Sequence, residues 1–505
     1  MKTRSSARGE PRRLGNMGLL ALMLCSLVAL SLIRARFAPI GSTTGAEPVI
    51  KAEDPKPAAV VSQAAVATDA GDNDVPDEVA AVAVEESKVG EDKQVEEVQP
   101  KPEHAAAIVV DASKPVCYET SRRSDTCEAA GDVRLLGRSQ TIYVDTLEQE
   151  WKTRPYCRKH DAYALSHVKE WSLKPHPSGD GDGDGGGAAP RCTTNSSATA
   201  FVLSTGGFTG NPFHDYTDVL IPAFITAHRF GGEVQFLVSS YKSWWMNRYI
   251  QIFQQMSRHE VLDIDADDEV RCYPSVVVGP TFHKELGVDA SKAPDGVSTA
   301  DFRKMLRSAF GLERATATPS GDRWDIRRRP RLLIITRRAS RGRAFMNERA
   351  MADMAGSLGF DVRLGDPEMS SDTSKFARLV NSCDVMVGVH GAGLTNMVFL
   401  PAGAVVVQVV PFGRLEWLAR NTFAEPSAGM EVHYLEYVVQ LDETTLSEQY
   451  PSDHPVLKDP MAIHKQGWDA LKTTYLDKQN VRPHLGRLKN TFLQALKMLP
   501  HGRDD

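Results

Sequence analysis

Apolar positions follow two rhythms along this chain. Beyond residue 330 they gather into short runs, at 331–336 (RLLIIT), 360–364, 384–389 and 404–410 (AVVVQVV), with helical spacing between them at about 348–358 and 373–381. Short β-branched runs suit strands buried on both faces, and their alternation with helices predicts a doubly wound parallel sheet. Upstream, residues 201–204, 233–239 and 274–278 read as strands of another α/β unit, with helices near 216–227 and 245–256. A polar, basic joint at 313–329 divides the units. The last helical stretch, 465–499, is expected to pack back across it.

The first hundred residues obey neither rhythm. MKTRSSARGEPRR holds five Lys or Arg against one Glu, and the 20 residues 14–33 that follow carry no charge. At about 1.5 Å per residue they would make a helix of roughly 30 Å, the thickness of a bilayer core. Arg34 and Arg36 follow without a clear cleavage site, so a retained anchor is preferred to a signal peptide. The basic cluster then keeps the N-terminus cytosolic and sends the rest into the lumen. From Ala38 to Cys117 there is no aromatic residue, and Glu47 to Glu103 holds 15 acidic against 5 basic residues, a net of −10. Such a segment buries too little apolar surface to offset its chain entropy and reads as a disordered stem.

Since the whole chain is −6, the remainder is +4, a mild basicity that is no nucleic-acid footprint. Outside the anchor stand six cysteines, an even number that suits a luminal chain and allows up to three disulfides. Cys117 with Cys127 is the expected pair, and Cys383 is expected to stay a core thiol. Asn195-Ser-Ser is a glycosylation sequon. No CxxC occurs, which argues against zinc. Asp180, Asp182 and Asp184 mimic the start of a calcium loop, but position 12 is Arg191, so the segment reads as a flexible insertion. Asp263, Asp265 and Asp267 offer a DxD of the kind that clamps a metal on a nucleotide diphosphate.

VGVHGAGLTNMVFLPAG, 387–403, places His390, Gly391, Gly393, Thr395 and Asn396 on the turn from a strand into a short helix. A helix N-terminus offers unpaired N–H groups, and glycine lets backbone approach an anion closely, so phosphate is the natural guest. The bland alternatives are a tight turn and a histidine bonded to backbone. A dinucleotide oxidoreductase fits less well, because Asn396 stands where a third glycine belongs and the turn comes late in the chain.

Five ordered blocks carry a resemblance: GNPFHDYTDVLIPAF (210–224), DIDADDEVRCYPSVVVG (263–279), ITRRASRGRAFMNERAM (335–351), VGVHGAGLTNMVFLPAGAVVVQVVPFG (387–413) and EWLARNTFAEPSAGMEVHYLEY (416–437). They are similar to the blocks of glycosyltransferase family 61, in its plant xylan branch, over about residues 113–500. The resemblance implies a type II Golgi enzyme of GT-B architecture, a pair of Rossmann-type domains, transferring a pentose from a UDP-sugar to xylan with inversion. UDP-arabinofuranose in an alpha-1,3-transfer is favoured, with beta-1,2-xylosyl transfer from UDP-xylose as the alternative and a non-catalytic Golgi sugar-binding protein as a distant one. Partnership in Golgi glycosyltransferase complexes is a further expectation. The implied order is a tail (1–13), anchor (14–33), stem (34–112), acceptor-side domain (113–312), joint (313–330), nucleotide-sugar domain (331–464) and C-terminal helix (465–505).

Within these blocks, Arg337 and Arg343 lie at the carboxyl edge of a strand and are assigned to the diphosphate, because a guanidinium pairs bidentately with phosphate oxygens. His390 and the amides of 391–395 would share that anion and stabilise the leaving UDP. Glu416 and Trp417 would meet ribose or uracil, with Trp417 equally at home in the core. Asn347 and Glu348 are expected to start and cap the next helix. In GNPFHDYTD a helix opening at Phe213 would put His214 and Asp218 at i and i+4, so that the carboxylate supports the imidazole as general base. Asp215 is the rival base, and dipole charges are the structural alternative. Because arginines and helix amides can replace a cation, no essential metal is expected.

Overall fold

The computed structural model describes residues 116–177, 189–293, 295–318, 329–367 and 372–500. The expected anchor, the stem, the Gly-Asp insertion and most of the joint lie outside them. Among the described residues no helix is long and apolar enough to cross a membrane.

The described chain forms a mixed α/β fold around two sheets. The first holds β1 (Cys117–Ser121), β2 (Ser124–Leu136), β3 (Thr141–Val144), β4 (Trp151–Thr153), β5 (Trp171–Pro175), β6 (Thr194–Asn195), β7 (Thr199–Ser204), β8 (Val234–Ser239), β9 (Leu262–Asp263) and β10 (Val270–Val278). Their order is β4-β5-β3-β2-β10-β7-β8-β9, with β1 on β2 and β6 on β10. β10, β7, β8 and β9 run as parallel neighbours along that path, as do β3 and β5. β2 is antiparallel to both β10 and β3. This sheet is therefore mixed, where a doubly wound parallel one was expected. The reason lies in residues 117–175, whose strands show no continuous apolar runs, while TAFVLS and VQFLVS are buried at every position.

The second sheet matches the expectation. β11 (Arg331–Ile335), β12 (Asp361–Gly365), β13 (Val385–Val389), β14 (Val405–Val410) and β15 (His433–Val438) are parallel, in the order β12-β11-β13-β14-β15. Helices that bear on the argument are α1 (Ser243–Met256), α2 (Thr299–Phe310), α3 (Glu348–Ser357), α4 (Thr373–Asn381) and α5 (Leu485–Met498). One apolar cluster runs without interruption from Phe201 and Phe236 in the first half to Val385 and Val405 in the second. The seam between the halves is core.

Arg303, on α2, crosses that seam. It is fully buried, its Nε donates to Val398 O at 3.2 Å, and its Nη2 donates to Leu400 O. Helix α5 packs on α3, β14 and β15, with Phe492 against Phe360. It thus covers its own half's sheet, which the amphipathic spacing alone could not distinguish from packing back across the joint.

Cys117 and Cys127 are bonded as opposite residues of β1 and β2, and Cys192–Cys272 is a second disulfide. Cys383 is a buried free thiol, as is Cys157. Asn195 lies in the two-residue strand β6 and is exposed.

Candidate active site at the strand switch

In the second sheet the chain steps from β11 outward to β12, then back across to β13. That reversal opens a crevice at the carboxyl ends of β11 and β13, the place where open α/β sheets take their ligands. Two segments fill it: residues 336–346 after β11, and the turn from His390 into a 3-10 helix, Ala392–Phe399, after β13.

The arginine segment and the turn converge on Gly391. Arg343 Nη1 donates to His390 O at 3.1 Å. A Cβ on Gly391 would stand 2.7 Å from Arg343 Nη1 and 3.6 Å from Arg337 Nη1, and Gly391 has φ +148°, so both guanidinium groups approach bare backbone here. Gly393 differs. A Cβ there would meet Ile335 Cγ2 at 3.2 Å and Pro367 Cγ at 3.6 Å, so its missing side chain makes room for the sheet, not for an anion. Gly391 is the glycine of close approach. Asn396 Nδ2 donates back to Gly393 O at 2.9 Å, which closes the short helix. Thr395 is fully buried and lines a small cavity together with Pro212 and Tyr216 of the first half.

His390 is fixed by a relay. Gln408 Nε2 donates to His390 Nδ1 at 2.6 Å, and Tyr434 Oη donates to Gln408 Oε1 at 2.8 Å. With the carboxamide in this orientation Nδ1 is an acceptor, so the ring proton sits on Nε2.

Glu416 and Trp417 open the helix Glu416–Ala419 beyond β14. Trp417 is 44% exposed and is not core. Asn347 occupies the N-cap position of α3 but does not cap it; its Nδ2 donates to Pro483 O.

The arginine segment owes its shape to residues that sequence reading missed. Gln479 O accepts from Arg343 N at 2.5 Å while the buried Gln479 side chain bonds both the N–H and C=O of Phe412. Asn480 clamps Ala344 N and Ala339 O. Arg343 has φ 59°, a costly conformation for a non-glycine residue that these bonds hold in place. Nothing in DKQNVRP signals that role by spacing.

On the first half, Asn211 caps the helix that carries GNPFHDYTD, accepting from Phe213 N at 3.0 Å, with Pro212 at its first position. The helix continues through a π-helical stretch, Asp215–Leu220. His214 Nδ1 donates to Asp218 Oδ2 at 2.8 Å, and both side chains are buried. Arg158 Nε donates to the same oxygen at 2.8 Å and Tyr156 Oη at 3.2 Å. Burial would raise the Asp218 carboxyl, but the charges of Arg158 and His214 and their hydrogen bonds overcome it and hold it at about 2. Asp218 is ionised, and it keeps the proton of a neutral His214 on Nδ1, so that Nε2 is the basic nitrogen. Arg158 and Tyr156 sit some sixty residues upstream of Asp218, in a loop with no periodic signal.

Asp215, the rival base, has both carboxylate oxygens engaged by its surroundings. Gly210 N and Trp245 Nε1 each donate to its Oδ1 at 2.7 Å, and Tyr249 Oη donates to Oδ2 at 2.9 Å. It anchors the helix to α1. Burial pushes its carboxyl up, against those three hydrogen bonds.

The two walls meet. Residues Pro212–His214 pack directly on Ala392–Phe399. Phe423 bridges them, its ring 6.0 Å from Phe213 and 5.7 Å from His390. The acidic run is elsewhere engaged: Asp265 accepts from Ser240 N at 2.6 Å and pairs with Lys169 at 3.0 Å, and Asp267 pairs with Arg271.

A profile described as Glycosyltransferase 61 matches residues 213–407, from the His214 helix through β13 and its turn into β14. A beta-1,2-xylosyltransferase of Oryza sativa subsp. japonica is 37% identical over 427 residues, covering 81% of this chain and 87% of that protein. The chain belongs to glycosyltransferase family 61. An alpha-1,3-arabinosyltransferase of the same plant is 41% identical over 396 residues, 77% of this chain and 66% of that protein. A xylan glycosyltransferase of Arabidopsis thaliana is 34% identical over 399 residues, 75% of this chain and 78% of that one. The chain spans just under two thirds of the length of two Oryza sativa arabinosyltransferases that it matches, 66% and 65%. The family profile contains both histidines, while Tyr156, Arg158, Gln479 and Asn480 fall outside it.

Proposed function

We propose that this family 61 member is an inverting glycosyltransferase that moves a pentose from a UDP-sugar to xylan. The observation that carries this is the crevice between β11 and β13, where Arg337, Arg343 and the His390 turn meet and the His214 helix packs against the turn's helix. Arg337, Arg343, the amides of the turn and His390 Nε2–H bind the diphosphate and the charge that develops as UDP departs. His214, oriented by Asp218, takes the proton of the xylosyl hydroxyl as its oxygen bonds to the anomeric carbon from the face opposite UDP. One bond forms, one breaks, and the configuration inverts. Glu416 and the exposed Trp417 border the nucleoside end. No metal is required, because the counter-charge is built into the chain.

Alpha-1,3-arabinosyl transfer from UDP-arabinofuranose is the preferred activity, supported by the relative with 41% identity. Beta-1,2-xylosyl transfer from UDP-xylose is the second reading, supported by a relative of which this chain covers 87%. The two halves are read as a GT-B pair, acceptor side first. Residues 14–33 are read as a Golgi signal-anchor with the sheets in the lumen, Asn195 as a glycan site, and other Golgi glycosyltransferases as partners. The purified full-length protein, incubated with each UDP-pentose and xylohexaose, should release UDP and yield a product whose linkage analysis identifies the sugar and position. Release of UDP from neither donor would refute the proposal.

A further inference from the structure

Three large aromatic side chains are exposed among the described residues, and two of them flank the loop that leads to His214. Tyr163, 41% exposed, stands on the helix Ala162–Ser166, and Trp244, 53% exposed, lies in the first turn of α1. Between them runs the segment 205–211, which joins β7 to the His214 helix. Tyr163 stacks on Phe208 with ring centroids 5.5 Å apart, and Phe208, itself buried, packs on His214 at 4.6 Å. A single ring thus separates an open aromatic from the proposed base. On the other side of the loop, Gly210 has φ +113° and a Cβ there would stand 3.1 Å from Trp244 Cη2, so the indole lies over bare backbone. Lys242 Nζ donates to Thr209 Oγ1 at 2.7 Å and ties the start of α1 to the same loop. The loops that carry these contacts leave the carboxyl ends of the parallel strands β7 and β8, where such sheets take ligands.

Single exposed apolar residues are ordinary, but two rings framing one loop beside a base call for an occupant of matching chemistry. A xylopyranose chair in the β configuration carries its hydroxyls equatorially, so each face of the ring is a flat array of axial C–H groups. Such a face is faintly positive and suits the negative face of an aromatic ring. A puckered furanose presents no such face, and a diphosphate gains nothing from one. The rings therefore match the acceptor and not the donor. We propose that Tyr163 and Trp244 are stacking platforms for xylose residues of the acceptor, placed along its backbone from the residue whose hydroxyl reaches His214. The inference rests on the transferase reading given above and names the path of the acceptor over the first half. Phe208 and the backbone of Gly210 fix both rings before the acceptor arrives, so little rotamer freedom is lost on binding.

Acceptor kinetics of the full-length protein test this. Tyr163→Ala and Trp244→Ala should each lower kcat/KM for xylohexaose about tenfold, chiefly through KM, with the UDP Kd from calorimetry within about twofold of the parent. On xylotriose, which has fewer residues beyond the reacting one, the loss should shrink to about threefold or less. Tyr163→Phe and Trp244→Phe keep a ring and should retain most of the acceptor affinity, which separates lost stacking from lost folding. An equal loss on both acceptor lengths, or a raised UDP Kd, would overturn the assignment. So would a parent dimer that the alanine variants dissociate while acceptor kinetics stay unchanged, the sign of a second copy on this face. A parent that releases UDP from neither donor refutes the function and this inference with it, whereas a parent that turns over beside unaffected variants refutes the inference alone.

Discussion

His214 and His390 stand on opposite walls of one seam and are wired in opposite senses. His214 gives its Nδ1 proton to a carboxylate, which leaves Nε2 basic; His390 receives a proton at Nδ1 from an amide, which leaves Nε2 a donor. The partner decides the role. An ionised Asp218 can stabilise an imidazolium, so that wall is suited to taking a proton. Gln408 cannot, so His390 is suited to offering a hydrogen bond while staying neutral.

The strongest way to break this contrast is His214→Ala. It should lower kcat by about 10² to 10⁴, the contribution of a positioned general base, while calorimetry finds the UDP Kd unchanged. If UDP affinity falls in parallel, His214 belongs to the donor wall and the contrast fails.

Arg158→Met comes next, read in stability. It leaves Asp218 buried with one cation fewer and should cost about 3 to 5 kcal/mol in denaturant unfolding. The pH dependence sharpens it. A carboxyl held at about 2 contributes stability that is intact above its unfolded value and lost as pH falls through about 4 toward 2. In Arg158→Met the folded carboxyl should titrate closer to its unfolded value, so this acid-dependent loss should shrink, and an unchanged acid limb would show that Arg158 does not hold the charge.

His390→Ala should reduce kcat by roughly 10², the effect of one donor to a developing anion, with a smaller change in KM. Gln408→Glu is the finer probe. A carboxylate there should move the ring proton to Nδ1, readable in imidazole nitrogen shifts, and make the donor wall resemble the base wall. Smallest of all, EDTA should leave turnover within about twofold, and Asp265→Ala should cost activity no more than ordinary surface or structural damage does. Complete loss in EDTA with rescue by Mn²⁺ would return the acidic run to the site.

The same asymmetry governs what could be read from residue order. β11, β13 and β14 are buried on both faces, so the second sheet appears in the sequence as apolar runs, and the crevice follows from where those runs end. The pairing of His214 with Asp218 is also local, four residues on one helix. Arg158, Tyr156, Gln479 and Asn480 are not legible, because each acts across a long separation through a loop whose composition carries no period. Asp215 illustrates a different limit. Its identity as a buried acid beside a histidine suggested a base, and only the positions of Gly210, Trp245 and Tyr249 show that its oxygens are already engaged. The strands of residues 117–175 escaped for a third reason: β3, β4 and β5 have three to five residues, too few cycles for alternation to register, and the 13-residue β2 mixes Gly131 and charged residues among its apolar ones.

Arg303 sets how the molecule can move. Rooted in the first half, it grips Val398 O and Leu400 O at the far end of the short helix whose near end faces Arg343. Burial draws its guanidinium down to about 10, still charged at neutral pH. Separating the halves along this line would break both bonds and bring the apolar cluster that the halves share into water, several kcal/mol against a thermal energy of about 0.6 kcal/mol. A hinge that costs so much is a weld. Substrate entry and product release must therefore be timed by the loops around the crevice, and the turnover rate of this chain should follow local rearrangements there and not a swing of one half against the other.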